Sequence, residues 1–359
     1  MRISYKKSVL CLLMLVAISL APSANRSNAL NGDPAIAAST SGSIGLDPVT
    51  GSYRHSCVLN SRTWLLGNLE ELLLTTDAGE SFTQIFKVGS DPKEDMLLAV
   101  DCRGESQVLL AAGSSLYRSN DSGSTWLQVT ENLPIRVGTV AMVDDQNVLV
   151  GGSDYSIYDK HPELGVLYEG SIISSNDGGR TFVKHEIKGR DGLNNRFNRW
   201  TIKDFAIRDN GEHYAVGDGL VLVKKGNAPV WKRVDVPAYP FQTVGALGKN
   251  LIWTSTSIGD EFVVSFDGGI TWKIRKVPQG SPISYTGVLF INEREAIALN
   301  GGLLRTQDGG ESWTTVDADV RYFHAFLLEN GELMVLGHNK VGWRNVSSRD
   351  NGLTFEELK

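Results

Sequence analysis

The sequence predicts an all-β fold, a single domain of like four-stranded units closed into a ring, and three observations carry this reading. First, an eight-residue pattern, Ser/Thr-x-Asp-x-Gly-x-Ser/Thr-Trp/Phe, occurs at Thr75 to Phe82, Ser119 to Trp126, Ser175 to Phe182, Ser265 to Trp272, Thr306 to Trp313 and Ser348 to Phe355. Second, each copy lies between short alternating apolar segments, such as Phe262-Val263-Val264 before and Trp272-Lys273-Ile274 after, which is the signature of strand, turn, strand. Third, the closing aromatics Phe82, Trp126, Phe182, Trp272, Trp313 and Phe355 fall 44, 56, 90, 41 and 42 residues apart. A period of roughly 40 to 50 residues with strand-like content corresponds to one blade of a β-propeller per repeat.

The double interval hides a seventh unit. Midway through it, Lys224 to Trp231 keeps the aromatic, but Gly226 and Ala228 stand where Asp and Gly belong. Read as a decayed copy, it makes a single seven-bladed β-propeller spanning 51–359. Each blade holds a first, a second and a third strand, then the turn, then a fourth. In blade 6 these are expected at Tyr285 to Ile291, Ala296 to Asn300, Leu303 to Thr306 and Ser312 to Val316. The last copy is followed by just enough residues for the fourth strand of blade 7.

Within each turn the Asp carboxylate can accept bonds from nearby backbone N–H groups, and the Gly takes a conformation that other residues resist. Asp77, Asp121, Asp177, Asp267, Asp308 and Asp350 are therefore expected to hold turns on the outer part of the ring rather than to catalyse.

The N-terminus reads Met1-Arg2, Lys6-Lys7, an apolar run from Ser8 to Leu20, then small and polar residues to Ala29. That is the form of a secretory signal, placing a signal peptide at 1–29, a linker or extension rich in Ala, Ser, Thr and Gly at 30–50, and the product in the periplasm or outside the cell. Cleavage would shift the formal charge from −6 to about −10, which excludes nucleic acid as the partner. Cys57 and Cys102 fall at equivalent places in blades 1 and 2, either bridged or as two buried thiols. No histidine spacing suits a metal and no glycine-rich phosphate loop is present, so neither metal nor cofactor is expected.

Long loops on a rigid scaffold are where function concentrates. Blade 3 carries two long insertions, Ser153 to Leu164 and Lys188 to Trp200. Aligning the connections that lead into each innermost strand brings Arg54, Arg136, Arg199, Trp200, Tyr285, Arg321 and Tyr322 to the mouth of the central channel, with Arg190 and Arg196 on the blade 3 to blade 4 connection. Guanidinium forks suit carboxylates and rings suit stacking. The working surface is accordingly expected near the junction of blades 3 and 4, with Trp200 meeting an apolar patch of the partner.

The repeated turn resembles the Asp-box, or BNR repeat. Sialidases share it, and that resemblance implies an arginine cluster from Arg54, Arg136, Arg199 and Arg321 with Tyr285 or Tyr322 as nucleophile. The Arg-Ile-Pro signature is missing, since Pro134-Ile135-Arg136 has the reverse order, and sialidases have six blades. Other Asp-box glycosidases use paired carboxylates, for which Asp204 and Asp95 are the candidates. The resemblance that covers most of the chain is to the photosystem II stability and assembly factor family, on copies such as Leu303 to Trp313. It implies a non-catalytic extracytoplasmic scaffold that holds a partner protein on a propeller face. This chain departs from that family in its blade 3 insertions and its decayed fourth copy. The expected molecule is a monomer with a protein partner and no membrane span after signal cleavage, the alternative being a glycoside hydrolase acting on carbohydrate.

Overall fold

The computed structural model describes residues 55–89, 96–155, 169–188, 200–208, 210–226, 228, 230–237, 240–256, 260–278, 287–328, 330–339 and 342–358. All regular structure among them is β, in seven sheets. Blade 1 comprises β1 (His55–Val58), β2 (Trp64–Gly67), β3 (Glu71–Thr75) and β4 (Thr83–Lys87). Blade 2 comprises β5 (Leu97–Arg103), β6 (Gln107–Ala112), β7 (Ser115–Ser119) and β8 (Leu127–Thr130). Blade 3 comprises β9 (Arg136–Met142), β10 (Val148–Asp154), β11 (Glu169–Ser175) and β12 (Val183–Lys184). A short strand β13 (Glu186–Lys188) follows, and blade 4 comprises β14 (Ile202–Ile207), β15 (Glu212–Gly217), β16 (Leu220–Lys225) and β17 (Val230–Val234). Blade 5 comprises β18 (Phe241–Leu247), β19 (Leu251–Thr256), β20 (Glu261–Ser265) and β21 (Lys273–Lys276). Blade 6 comprises β22 (Gly287–Phe290), β23 (Ala296–Leu299), β24 (Leu303–Thr306) and β25 (Thr314–Asp317). Blade 7 comprises β26 (Arg321–Leu327), β27 (Leu333–His338), β28 (Val346–Ser348) and β29 (Glu356–Glu357).

The blade 6 strands thus lie within two residues of the limits expected from the sequence. The first strands β1, β5, β9, β14, β18, β22 and β26 are innermost, each touching the next from blade 1 to blade 7. Strands in the middle of a blade are covered on both faces by the neighbouring blades, so β2, β23 and β24 are buried throughout. Such strands read as apolar runs rather than as alternation. Fourth strands such as β4 and β25 lie at the rim and are mostly exposed.

The six turns share one bonding scheme, except that the N–H three residues after the aspartate bonds its side chain in blades 3, 5 and 6 and its backbone carbonyl in blades 1, 2 and 7. In the blade 6 turn the Thr306 hydroxyl donates to Asp308 Oδ1 at 2.8 Å and accepts from the N–H groups of Asp308 (3.3 Å) and Gly310 (3.0 Å). Asp308 Oδ1 accepts from the N–H groups of Glu311 (3.0 Å) and Ser312 (2.9 Å), and Oδ2 accepts from the Ser312 hydroxyl. Gly310 sits at φ 86°, and a Cβ there would fall 2.5 Å from Phe262 Cζ of blade 5. Glycine is thus required both by conformation and by the approach of the preceding blade. The closing Trp313 meets the same Phe262 ring edge-on at 6.1 Å.

Polar clamps and cores seal the seams between blades. Asp101 accepts from the N–H of Met142, and Asp204 from that of Val244. Arg103 pairs with Asp145 of blade 3 at 3.2 Å. Arg208 donates to the carbonyls of Lys249 and Leu251 in blade 5, and Arg305 to that of Asn351 in blade 7. Cys57 and Cys102 are joined by a disulfide with Cα atoms 5.5 Å apart, tying β1 to β5. The ring closes between blades 7 and 1 on Phe326, Leu328, Met334 and Leu336 packed against Val58, Trp64 and Leu66. Asn345 adds a hydrogen bond to the Ala78 carbonyl there.

The decayed copy still forms a hairpin, with β16 antiparallel to β17. What its sequence did not announce is β13, which leaves blade 3 and adds to β17 in parallel as a fifth strand, Ile187 beside Trp231. Ile187 fills the core shared by blades 3 and 4, and Trp231 is fully buried, whereas the six other closing aromatics remain partly exposed. A strand from the preceding blade therefore occupies the seam that elsewhere is sealed by the Asp-bearing turn.

Candidate functional site

The mouth of the channel is built where the chain enters the innermost strands. In blades 2, 3, 4, 5 and 7 the pairing of first and second strands skips one residue near this end. The skipped residues are Leu98, Gly138, Lys203, Gln242 and Phe323, each more open than its buried neighbours on both sides. A bulge of this kind re-aims a side chain without breaking the sheet.

Arg136 and Arg321 each begin an innermost strand, in blades 3 and 7, and both are exposed. They share one face of the ring but stand several blades apart. Arg136 donates to the Tyr155 hydroxyl at 3.4 Å. Arg54, Arg190, Arg196, Arg199, Tyr285 and Asp95, with most of both blade 3 insertions and residues 1–54, lie outside the described residues.

Two aromatic side chains expected at the surface are instead interior. Trp200 is 4% exposed and packs in the core of blades 3 and 4, its ring so close over Gly170 that a Cβ there would lie 2.0 Å from it. The glycine makes the slot that an indole fills, so the ring seals a seam and is not available to a partner. Tyr322 is 5% exposed and donates to Asp317 Oδ2 at 2.9 Å. Burial, then the bond to Asp317 and its charge, push this phenol far above its ordinary range, the reverse of what a nucleophile needs. Asp204 is likewise committed: it is 1% exposed and accepts from the N–H groups of Phe205 (2.9 Å) and Val244 (3.0 Å).

The site also holds groups that the sequence reading did not single out. Lys203 pairs with Asp218 in blade 4. Beside Arg321, the partly exposed Phe323, His338 and Trp343 form a cluster, with Phe323 5.9 Å from the His338 ring and 5.7 Å from Trp343. Trp343 also lies 5.5 Å from Phe82, the closing aromatic of the blade 1 turn. Only the position of Phe323, two residues after Arg321 in an innermost strand, pointed to this cluster in the sequence. Among the described residues, no three His, Cys, Asp or Glu side chains are grouped to hold a metal ion.

The BNR/Asp-box repeat family matches residues 263–273, the third strand and turn of blade 5. The photosystem II assembly lipoprotein Ycf48 of Synechococcus sp. (strain CC9902) is 22% identical over 250 residues, 67% of each chain. A structure of YCF48 bound to D1 peptide superposes with a TM-score of 0.56 at 14% identity, over 79% of this chain and 90% of that one. This chain is an Asp-box β-propeller. Its architecture is that of the Ycf48 propellers, and the same fold is also similar to that of the GH74 xyloglucanase from Xanthomonas campestris, with a TM-score of 0.51 at 14% identity over 94% of this chain and 65% of that one. For an Asp-box propeller the six aspartates are structural: hydroxyl and backbone N–H bonds hold Asp77, Asp267, Asp308 and Asp350 down at about 2, with Asp121 and Asp177 also lowered.

Proposed function

We propose that this propeller is a non-catalytic binding or assembly scaffold, working outside the cytoplasm and holding a partner protein on the face that bears the channel mouth. The observation that carries this reading is the division of labour among mouth residues. Of the four groups offered for catalysis, the two among the described residues, Asp204 and Tyr322, are consumed by internal bonds, whereas the guanidinium groups of Arg136 and Arg321 stay exposed. The solved YCF48 complex with D1 peptide supports it, since a propeller of this architecture accommodates a peptide. The leader-like segment 1–29 supports export.

The experiment is a paired assay on the purified protein. Xyloglucan and fluorogenic sialosides should give no turnover above buffer, while immobilised protein should retain a partner from an extract of the producing cells. Turnover that disappears in Tyr322→Phe or Asp204→Asn variants that still fold would replace the scaffold with a glycoside hydrolase. Mass spectrometry of the exported protein should find its N-terminus at Leu30; a retained Met1 would contradict cleavage.

A further inference from the structure

Blade 4 holds two half-buried cations for which the described residues supply no counterion. Lys224 on β16 and Arg233 on β17 make neither an ion pair nor a hydrogen bond through their side chains among those residues. The Arg233 Nε–H is wholly buried and unsatisfied. Burial holds the Lys224 ammonium below its ordinary range. Elsewhere the buried or half-buried Arg103, Arg208, Arg275, Arg305 and Lys203 each meet a carboxylate.

The register of the sheet puts both cations on one face. Arg233 is opposite Leu222, Lys224 is opposite His213, and Leu222 and Lys224 alternate along β16 to the same side. That side faces the seam of blades 3 and 4, where Leu222 joins the shared core. Lys224 and Arg233 are therefore diagonal neighbours across the hairpin, a separation of about 7–8 Å that long side chains span. No carboxylate of the sheet shares this face. Glu212 is opposite Lys225, Asp204 opposite Val216 and Glu186 opposite Val230, positions that point the other way. Glu212 is engaged there by Arg208 at 2.7 Å and Lys225 at 3.2 Å. Across the seam β11 presents Ile172 and Ser174, and the Ser174 hydroxyl lies 2.7 Å from His185 Nε2. Charges removed from water without a partner are a cost to the fold, which an anion bound between them would offset.

We propose that this face of blade 4 is a binding site for a phosphate group, held between the Lys224 ammonium and the Arg233 guanidinium. A phosphate monoester carries close to two negative charges at neutral pH and so balances both cations, which a single carboxylate does not. The guanidinium fork matches its oxygens, and the ammonium acts as a point charge. Gly226 stands where the other turns have their aspartate, so that end of the blade lacks the fixed anion that would repel the ligand. The site is separate from the mouth, where the innermost strands begin.

The test titrates inorganic phosphate into the purified protein at constant ionic strength, read by calorimetry and by melting temperature against chloride. Wild type should bind one phosphate and melt higher as it does so. Lys224→Met and Arg233→Met should each weaken binding by roughly tenfold or more, the scale of one charge-assisted hydrogen bond. Lys232→Met, on the opposite face, should bind as wild type does. In chloride alone Lys224→Met should melt no lower than wild type, because it removes a charge that has no partner. Displacement of phosphate by glycerol 3-phosphate assigns a soluble ligand, and retention on phosphatidate vesicles a lipid headgroup, each through Lys224 and Arg233. The proposal fails if phosphate does no more than chloride, if either cation is replaced without loss of binding, if Lys232→Met loses binding equally, or if Lys224→Met melts well below wild type in chloride.

Discussion

Thr306 shows how one residue holds a blade together: its buried hydroxyl satisfies two backbone N–H groups and orients Asp308. Thr306→Ala leaves the Gly310 N–H without its acceptor, and urea unfolding should show a loss of about 1–3 kcal/mol. The aspartates make a pH prediction. A carboxylate held at about 2 in the fold, against about 3.9 in the unfolded chain, stabilises the protein above the unfolded value and loses that contribution as pH falls from about 4 to about 2. Melting temperature should therefore drop over that window. Asp308→Asn should melt below wild type at neutral pH, and the difference should shrink toward pH 2. These bonds were legible because they are local, closing within five residues. The fates of Trp200 and Tyr322 were not, because burial at a strand end depends on the neighbouring blade, here on Gly170 and Asp317. The same holds for Arg103, Arg208 and Arg305, whose partners lie 42, 43 and 46 residues away.

At the scale of elements, β13 is the feature to test. Ile187 is buried beside Trp231 in the seam of blades 3 and 4, while Val183, four residues earlier, is 66% exposed. Ile187→Ala should cost about 2–5 kcal/mol and Trp231→Ala about 3–5 kcal/mol in denaturant unfolding. Val183→Ala should change stability by about 0.5 kcal/mol at most. The seven hairpins could be read from the sequence because the period repeats and because Trp231 survives where the aspartate does not. A parallel strand of three residues could not, since Glu186-Ile187-Lys188 is too short to carry a period and its pairing partner is 44 residues on, Glu186 opposite Val230.

At the scale of the molecule, each described blade is a continuous piece of chain apart from β13, and no strand among the described residues crosses the seam of blades 7 and 1. Among the described residues closure there rests on packing and on the Asn345 hydrogen bond to the Ala78 carbonyl, with the Cys57–Cys102 disulfide anchoring blade 1 to blade 2 across a separation of 45 residues. In the loop-entropy account a bridge of that span contributes about 4 kcal/mol, so Cys57→Ser/Cys102→Ser should unfold at markedly lower urea than wild type, with blade 1 the first region to lose amide protection in hydrogen exchange. The central claim is that the mouth face binds a protein and does no chemistry. Capture from an extract by Arg136→Glu/Arg321→Glu, run beside wild type and Thr306→Ala with melting temperatures for all three, tests it most directly. The account predicts that the double variant melts as wild type does yet loses the partner, while Thr306→Ala melts lower and keeps it. A double variant that retains the partner in full would contradict the claim.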